Sequence, residues 1–135
     1  MSVMPQGDAS EVVLDASAIL ALLKQEKGHE KVAAVMGRSR VSTVNIAEAC
    51  SHLTNLGQSI SQARSTLVRL AVTIVPFDEE QAMETARLRP LTRSLNLSLS
   101  DRACLALARL QRLPAMTTDR AWAKLNLGVQ VTVIR

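Results

Sequence analysis

Twelve acidic residues are few enough in a chain of 135 to be placed one by one, and four of them stand apart from the rest. Asp15 lies in "VVLDASAIL", at the end of one apolar run and just before another. Glu48 lies in "STVNIAEAC", Asp101 in "LSLSDRACLALA" and Asp119 in "AMTTDRAW". Taken singly, each of these reads as a helix cap. Gathered at one place they would be costly, because like charges within about 4–6 Å raise one another's pKa and oppose joint ionisation. A set of oxygen donors without His or Cys suits a hard divalent cation, Mg2+ or Mn2+, whose charge would offset that repulsion. Such an ion binds a phosphate oxygen and activates water, so the chemistry expected of the four together is phosphodiester hydrolysis.

The other candidates have plainer readings. Asp8 and Glu11 flank the N-terminal stretch, Glu26 and Glu30 surround a turn, and Asp78 in "FDEEQAME" caps a helix whose first turn carries Glu79 and Glu80. All are expected to face solvent. His52, four residues after Glu48, shares its helical face, but a lone His there reads as a packed or surface residue. Arg102 and Arg120 each follow one of the four acids and read equally as contacts for a substrate backbone or as charge-balancing neighbours. Ser98 and Ser100 read as caps of the next helix, and with no His or acid paired to them a serine nucleophile is not expected.

For four distant acids to meet, the chain must return repeatedly to one edge. Short β-branched runs alternate with longer helical patterns, the signature of βαβ units and a parallel sheet covered on both faces. Strands are expected at 11–14, 40–42, 72–75, 115–117 and 130–134. Helices are expected at 16–24, 28–36, 46–56, 60–70, 79–95 with a break at Pro90, 100–112 and 119–125. Asp15 and Asp119 then follow strands directly, at the carboxyl edge where such sheets open their ligand crevice. Glu48 falls in the first turn after the second strand. Asp101 opens an amphipathic helix with Leu105, Ala108 and Leu110 toward the core.

Composition bounds the rest. The chain is 47% hydrophobic, enough for one sizeable core, so residues 11–135 read as a single domain after a loose tail over 1–10 that carries Pro5 and Gly7. No uncharged apolar run approaches the roughly 20 residues of a membrane span, and no basic stretch precedes an apolar leader, so a cytoplasmic protein is expected. Cys50 and Cys104 lack the spacing of a zinc or redox pair and read as buried reduced thiols. The net charge of +4 suits a polyanionic partner. With one Phe, one Trp and no Tyr, a platform of stacked bases is not expected, and any nucleic acid is expected to be held by its phosphates.

At the four acidic segments the sequence resembles the PIN-domain family of metal-dependent ribonucleases, particularly the VapC toxins of bacterial toxin–antitoxin pairs. The resemblance covers nearly the whole chain. "VLDASAIL" is similar to the family's opening strand, with Asp15 as the first carboxylate and Ser17 as a helix cap or a supporting group behind it. "STVNIAEAC" is similar to the second motif at Glu48, and "LSLSDRACLALA" to the third at Asp101. "TTDRAW" is similar to the fourth, with Thr117 and Asp119 at its Thr and Asp. The resemblance implies a three-layer α/β/α sandwich with a mainly parallel five-stranded sheet. It implies Mg2+ or Mn2+ at Asp15, Glu48, Asp101 and Asp119, an RNA substrate, a homodimer, and a small VapB-like antitoxin that covers the site. The segments "VNIAEACSHL" and "QARSTLVRLAV" are candidate surfaces for dimer and antitoxin, and equally candidate core.

Three alternatives share the opening strand. A haloacid-dehalogenase phosphatase needs a second Asp two residues after the first, where this chain has Ser17, and a downstream Lys motif that is not evident. A receiver domain pairs acids after its first strand and places a Lys after its fifth, whereas "QVTVIR" stands here. A non-catalytic interaction module would keep the scaffold, and against it stands the retention of all four carboxylates.

Overall fold

The structure is a computed structural model that describes residues 11–135; the tail expected over 1–10 lies outside the described residues. Its five strands are short: β1 (Val12–Leu14), β2 (Ser39–Ser42), β3 (Thr73–Val75), β4 (Ala115–Thr117) and β5 (Val131–Val133). They form one sheet in the order β3-β2-β1-β4-β5, and every neighbouring pair is parallel. Six α-helices connect them: α1 (Ala16–Leu23), α2 (His29–Val35), α3 (Thr43–Asn55), α4 (Ile60–Val68), α5 (Glu79–Leu91) and α6 (Leu99–Gln111).

Alternation along β1 sends neighbouring side chains to opposite faces. Val12 and Leu14 join Ile19 of α1, Val32 of α2, Ala49 of α3 and Leu67 of α4. Val13 faces the other way, toward Leu88 of α5, Cys104 to Ala108 of α6, and Trp122. The result is the expected three-layer α/β/α sandwich, with α1 to α4 on one face and α5 and α6 on the other. Fully buried side chains such as Leu14, Ile19 and Leu105 contribute on the order of 2 kcal/mol each. Leu105 and Ala108 are buried as predicted, Leu110 is half-buried, Cys104 is buried, and Cys50 is half-buried. Among the described residues, no helix is long and apolar enough to cross a membrane.

Three predicted boundaries shift, each for a local reason. Helix α3 begins at Thr43, earlier than its β-branched start suggests, because Ser42 Oγ accepts the Val44 N–H at 3.1 Å and Thr43 Oγ1 accepts the Phe77 N–H at 3.1 Å. Glu48 therefore lies in the second turn, not the first. Helix α5 runs through Pro90 and stops at Leu91, because a proline in the last turn removes a single helical bond; a 3-10 turn, Arg93–Leu95, follows. The segment after β4 is a 3-10 turn, Arg120–Lys124, anchored by buried Trp122, where an α-helix was predicted.

The start of α2 is held across the chain. Gly28 adopts φ +91°, and a Cβ there would stand 2.2 Å from the Ile134 carbonyl oxygen, just past β5. Only glycine fits both the backbone angle and the space.

Candidate active site

All five strands end at one edge, and the order in which strands are added reverses between β1 and β4. Such a switch point opens a crevice beyond the strand ends. Asp15 leaves β1 on one side of it and Asp119 follows β4 on the other.

Asp15 extends the ladder, its N–H donating to the Met116 carbonyl at 3.2 Å, and then caps α1. Its Oδ1 accepts the Ala18 N–H at 2.8 Å and the Ser17 hydroxyl at 2.7 Å, and its Oδ2 accepts the Thr117 hydroxyl at 2.5 Å. Those two hydroxyls are themselves fixed by the backbone leaving β4: Thr118 N–H donates to Ser17 Oγ at 3.0 Å and Asp119 N–H to Thr117 Oγ1 at 3.1 Å. Asp15 is only 4% exposed. Burial pushes its pKa up to about 6; the hydrogen bonds from Thr117, Ser17 and Ala18 pull against that rise, and the charge of Asp101 adds to it.

Asp101 occupies the first turn of α6 in a capping box. Ser98 N–H donates to its Oδ2 at 3.0 Å, and its own N–H donates to Ser98 Oγ at 3.1 Å. Its pKa is raised, chiefly by burial, with the Ser98 bonds opposing and the charges of Glu48 and Asp119 adding. Glu48 is exposed on α3 and accepts the Ser100 hydroxyl through Oε1. Ser98 thus caps α6 as expected, whereas Ser100 spends its hydroxyl on Glu48 across the helix pair. Asp119 is exposed and caps its 3-10 turn, accepting the Ala121 N–H at 2.9 Å.

Asp101 is the electrostatic centre of this set, coupled to each of the other three acids. None of the ion pairs formed among the described residues includes any of the four. Nor do they close into a ligand cage: among the described residues, no three Asp, Glu, His or Cys side chains stand together as a metal-holding group. Each acid is held instead by nearby serine, threonine or backbone donors.

The neighbouring cations point elsewhere. Arg102 Nη1 donates to the Thr85 carbonyl at 3.0 Å, toward α5, and Arg120 Nε donates to the Arg135 carbonyl at 3.0 Å. His52 Nε2 lies 3.2 Å from Lys24 Nζ. Three acids predicted to face solvent are paired: Glu11 with Arg40, which holds the Glu11 carboxyl below its usual range by a hydrogen bond; Glu26 with Lys24 and Arg135; and Glu30 with His29 at 3.4 Å. Asp78 caps α5 as expected.

One residue of the site was missed. Asn45 is 1% exposed, accepts the Ala16 N–H through Oδ1 at 3.0 Å and donates from Nδ2 to the Ser100 carbonyl at 3.2 Å. The signal for it lay in the sequence: 45, 49 and 53 form the buried stripe of α3, and an amide at the head of an apolar stripe needs partners.

The profile of the PIN domain family matches residues 12–127. The chain belongs to the PIN domain family. Among solved structures, this PIN domain is similar to a toxin–antitoxin complex from Klebsiella pneumoniae, with a TM-score of 0.72 and 20% identity, covering 93% of this chain and 98% of that one. It is similar to VapBC-5, a member of the VapBC family of toxin–antitoxin systems from Mycobacterium tuberculosis, at TM-score 0.61 and 27% identity over 94% and 98% of the two chains. VapC20 of the same organism, described as a sarcin-ricin loop cleaving toxin, aligns at TM-score 0.71 and 13% identity over 86% of this chain and 97% of that one. Among curated proteins, none matches the chain.

Proposed function

We propose that this PIN domain is the toxin of a VapBC-type pair and acts as a Mg2+- or Mn2+-dependent endoribonuclease. The observation that carries the reading is the convergence of Asp15 and Asp119 on the switch point of a parallel sheet, with Asp101 at the head of α6 raised in pKa chiefly by burial and to a lesser degree by the charges of Glu48 and Asp119. Four oxygen-donor acids that repel one another and form no ion pair among the described residues fit a hard divalent cation by charge and by donor type. Asp15, Glu48, Asp101 and Asp119 would hold the ion directly or through water.

When bound, such an ion supplies Lewis-acid activation of water and charge stabilisation at an RNA phosphate. The chain supplies the rest. Ser17, Thr117 and the Ala18 N–H orient the Asp15 carboxylate, Ser98 orients Asp101, and Ser100 keeps Glu48 folded toward α6. With one Phe, one Trp and no Tyr, RNA would be gripped by its phosphates.

Toxin–antitoxin complexes among the similar structures support an antitoxin partner. The helices named from sequence contribute Ala49, Leu53, Ala63 and Leu67 to the core and leave Leu56, just past α3, with Ile60 and Val68 of α4 exposed as a candidate surface. A largely apolar groove of about 320 Å³, lined by Ile46, Cys50, Ile60, Leu67, Val68 and Ile74 together with Arg64, is the surface we assign to a second copy or an antitoxin.

The test is cleavage of total cellular RNA by purified protein, freed of any bound partner, in Mn2+, Mg2+ or EDTA. Discrete metal-dependent cuts are expected, falling by roughly two orders of magnitude or more in Asp101→Asn. Equal behaviour of parent and variant in every condition would leave a non-catalytic interaction module.

A further inference from the structure

We infer that Asn45 is the positioning residue that sets the spacing between Asp15 and Asp101. This rests on the proposed nuclease reading and adds to it a side chain outside the four acids. Its Oδ1 accepts from Ala16, the residue after Asp15, at 3.0 Å, and its Nδ2 donates to the carbonyl of Ser100, the residue before Asp101, at 3.2 Å. One amide therefore grips the two backbones that carry the two acids raised by burial.

The bond to Ser100 is not one that helix formation requires. Helix α6 already has a complete capping box from Ser98, and the Ser100 carbonyl, inside that helix, accepts the N–H four residues on. The bond from Asn45 is a second bond to an occupied acceptor, and it runs between layers, from α3 to the start of α6. In α1 the Asp15 side chain takes the Ala18 N–H, and Asn45 supplies the acceptor for the Ala16 N–H, which no carbonyl of the helix can reach. An amide in a buried stripe is unfavourable unless both its donor and its acceptor are satisfied. A carboxylate here would lack the donor, and an apolar residue would lack both. Glu48, one turn along the same helix, accepts the hydroxyl of the same Ser100. Helix α3 thus fixes the head of α6 at two points, and through them brings Glu48, Asp101 and Asp15 into one register.

The experiment is calorimetric titration of the full chain with Mn2+ alone, no RNA present. Asn45→Ala is compared with the parent, with Asp101→Asn, with the double variant, and with Leu53→Val, which loosens the far end of the same helix. Removal of a group that orients metal ligands costs roughly 10–100-fold in metal affinity. Asn45→Ala is expected to weaken Mn2+ binding by at least about tenfold, Leu53→Val to leave it unchanged, and Asn45→Ala to add nothing on the Asp101→Asn background. If Asn45→Ala does not fold, Asn45→Ser carries the same test; failure of both to fold would overturn the inference in favour of a purely structural role. Folded Asn45 variants that bind Mn2+ like the parent, or that lose no more than Leu53→Val, would overturn it while leaving the nuclease reading intact. A parent that binds no Mn2+ would overturn both.

Discussion

At the scale of single residues, the burial of the Asp15 carboxyl works against folding. Moving its pKa from 3.8 to about 6 means that the ionised form costs the folded state about 3 kcal/mol. The folded chain keeps this proton to a higher pH than the unfolded chain does, so stability is gained as pH falls and lost as pH rises through about 6. In EDTA, urea unfolding should show a gain of about 1 kcal/mol from pH 7 to pH 5. Asp15→Asn should flatten that gain and stabilise the metal-free protein at neutral pH, because the neutral amide still caps a helix, while cleavage falls. Glu11 and Glu26, whose carboxyls are lowered by Arg40 and by Arg135 with Lys24, act in the opposite sense at more acidic pH. Gly28 is a purely architectural counterpart. Gly28→Ala should lower stability by at least about 2 kcal/mol, read from the same unfolding curves, because it meets both a positive φ and the Ile134 carbonyl. Asp15, Asp101 and Asp119 fall where the sequence placed them, at a strand end or a helix start, whereas Glu48 lies one turn further into its helix. The Gly28 contact was not legible in the sequence, since its partner lies at the other end of the chain.

At the scale of elements, local pattern recovered the five strands and six α-helices and failed where a distant bond decides an end. The β-branched start of α3 gives no helical signal of its own; Ser42, and the Phe77 N–H reaching Thr43, set its first turn. That displacement hid Asn45, which falls one residue before the helix expected over 46–56. The start of α6 was easier, because Ser98 and Asp101 form their box within four residues. Ser98→Ala should cost about 1 kcal/mol in denaturant unfolding. It should also weaken Mn2+ binding, since the cap and the orientation of Asp101 are one structure. Stability and metal binding therefore fall together in Ser98→Ala and move apart in Asp15→Asn, a contrast that separates a framework residue from a functional one.

At the scale of the whole molecule, alternating strands and helices announced a parallel sheet, while the order β3-β2-β1-β4-β5 required the long-range pairings that no local window contains. It is this order that brings the ends of β1 and β4 side by side. A cation bound there should stabilise the entire fold, by about 2.7 kcal/mol at a hundredfold excess over its Kd. Thermal melts should show a rise with Mn2+ that Asp101→Asn largely loses. The same order governs when the site exists. Strand β1 is synthesised first, yet the Thr117 hydroxyl that fixes Asp15 lies 102 residues later, on the strand that must slot in beside it. At roughly 5–20 residues per second, translation leaves the first acid without that partner for several seconds or longer. A chain proposed to cut RNA thus has no assembled cutting site until β4 has emerged from the ribosome.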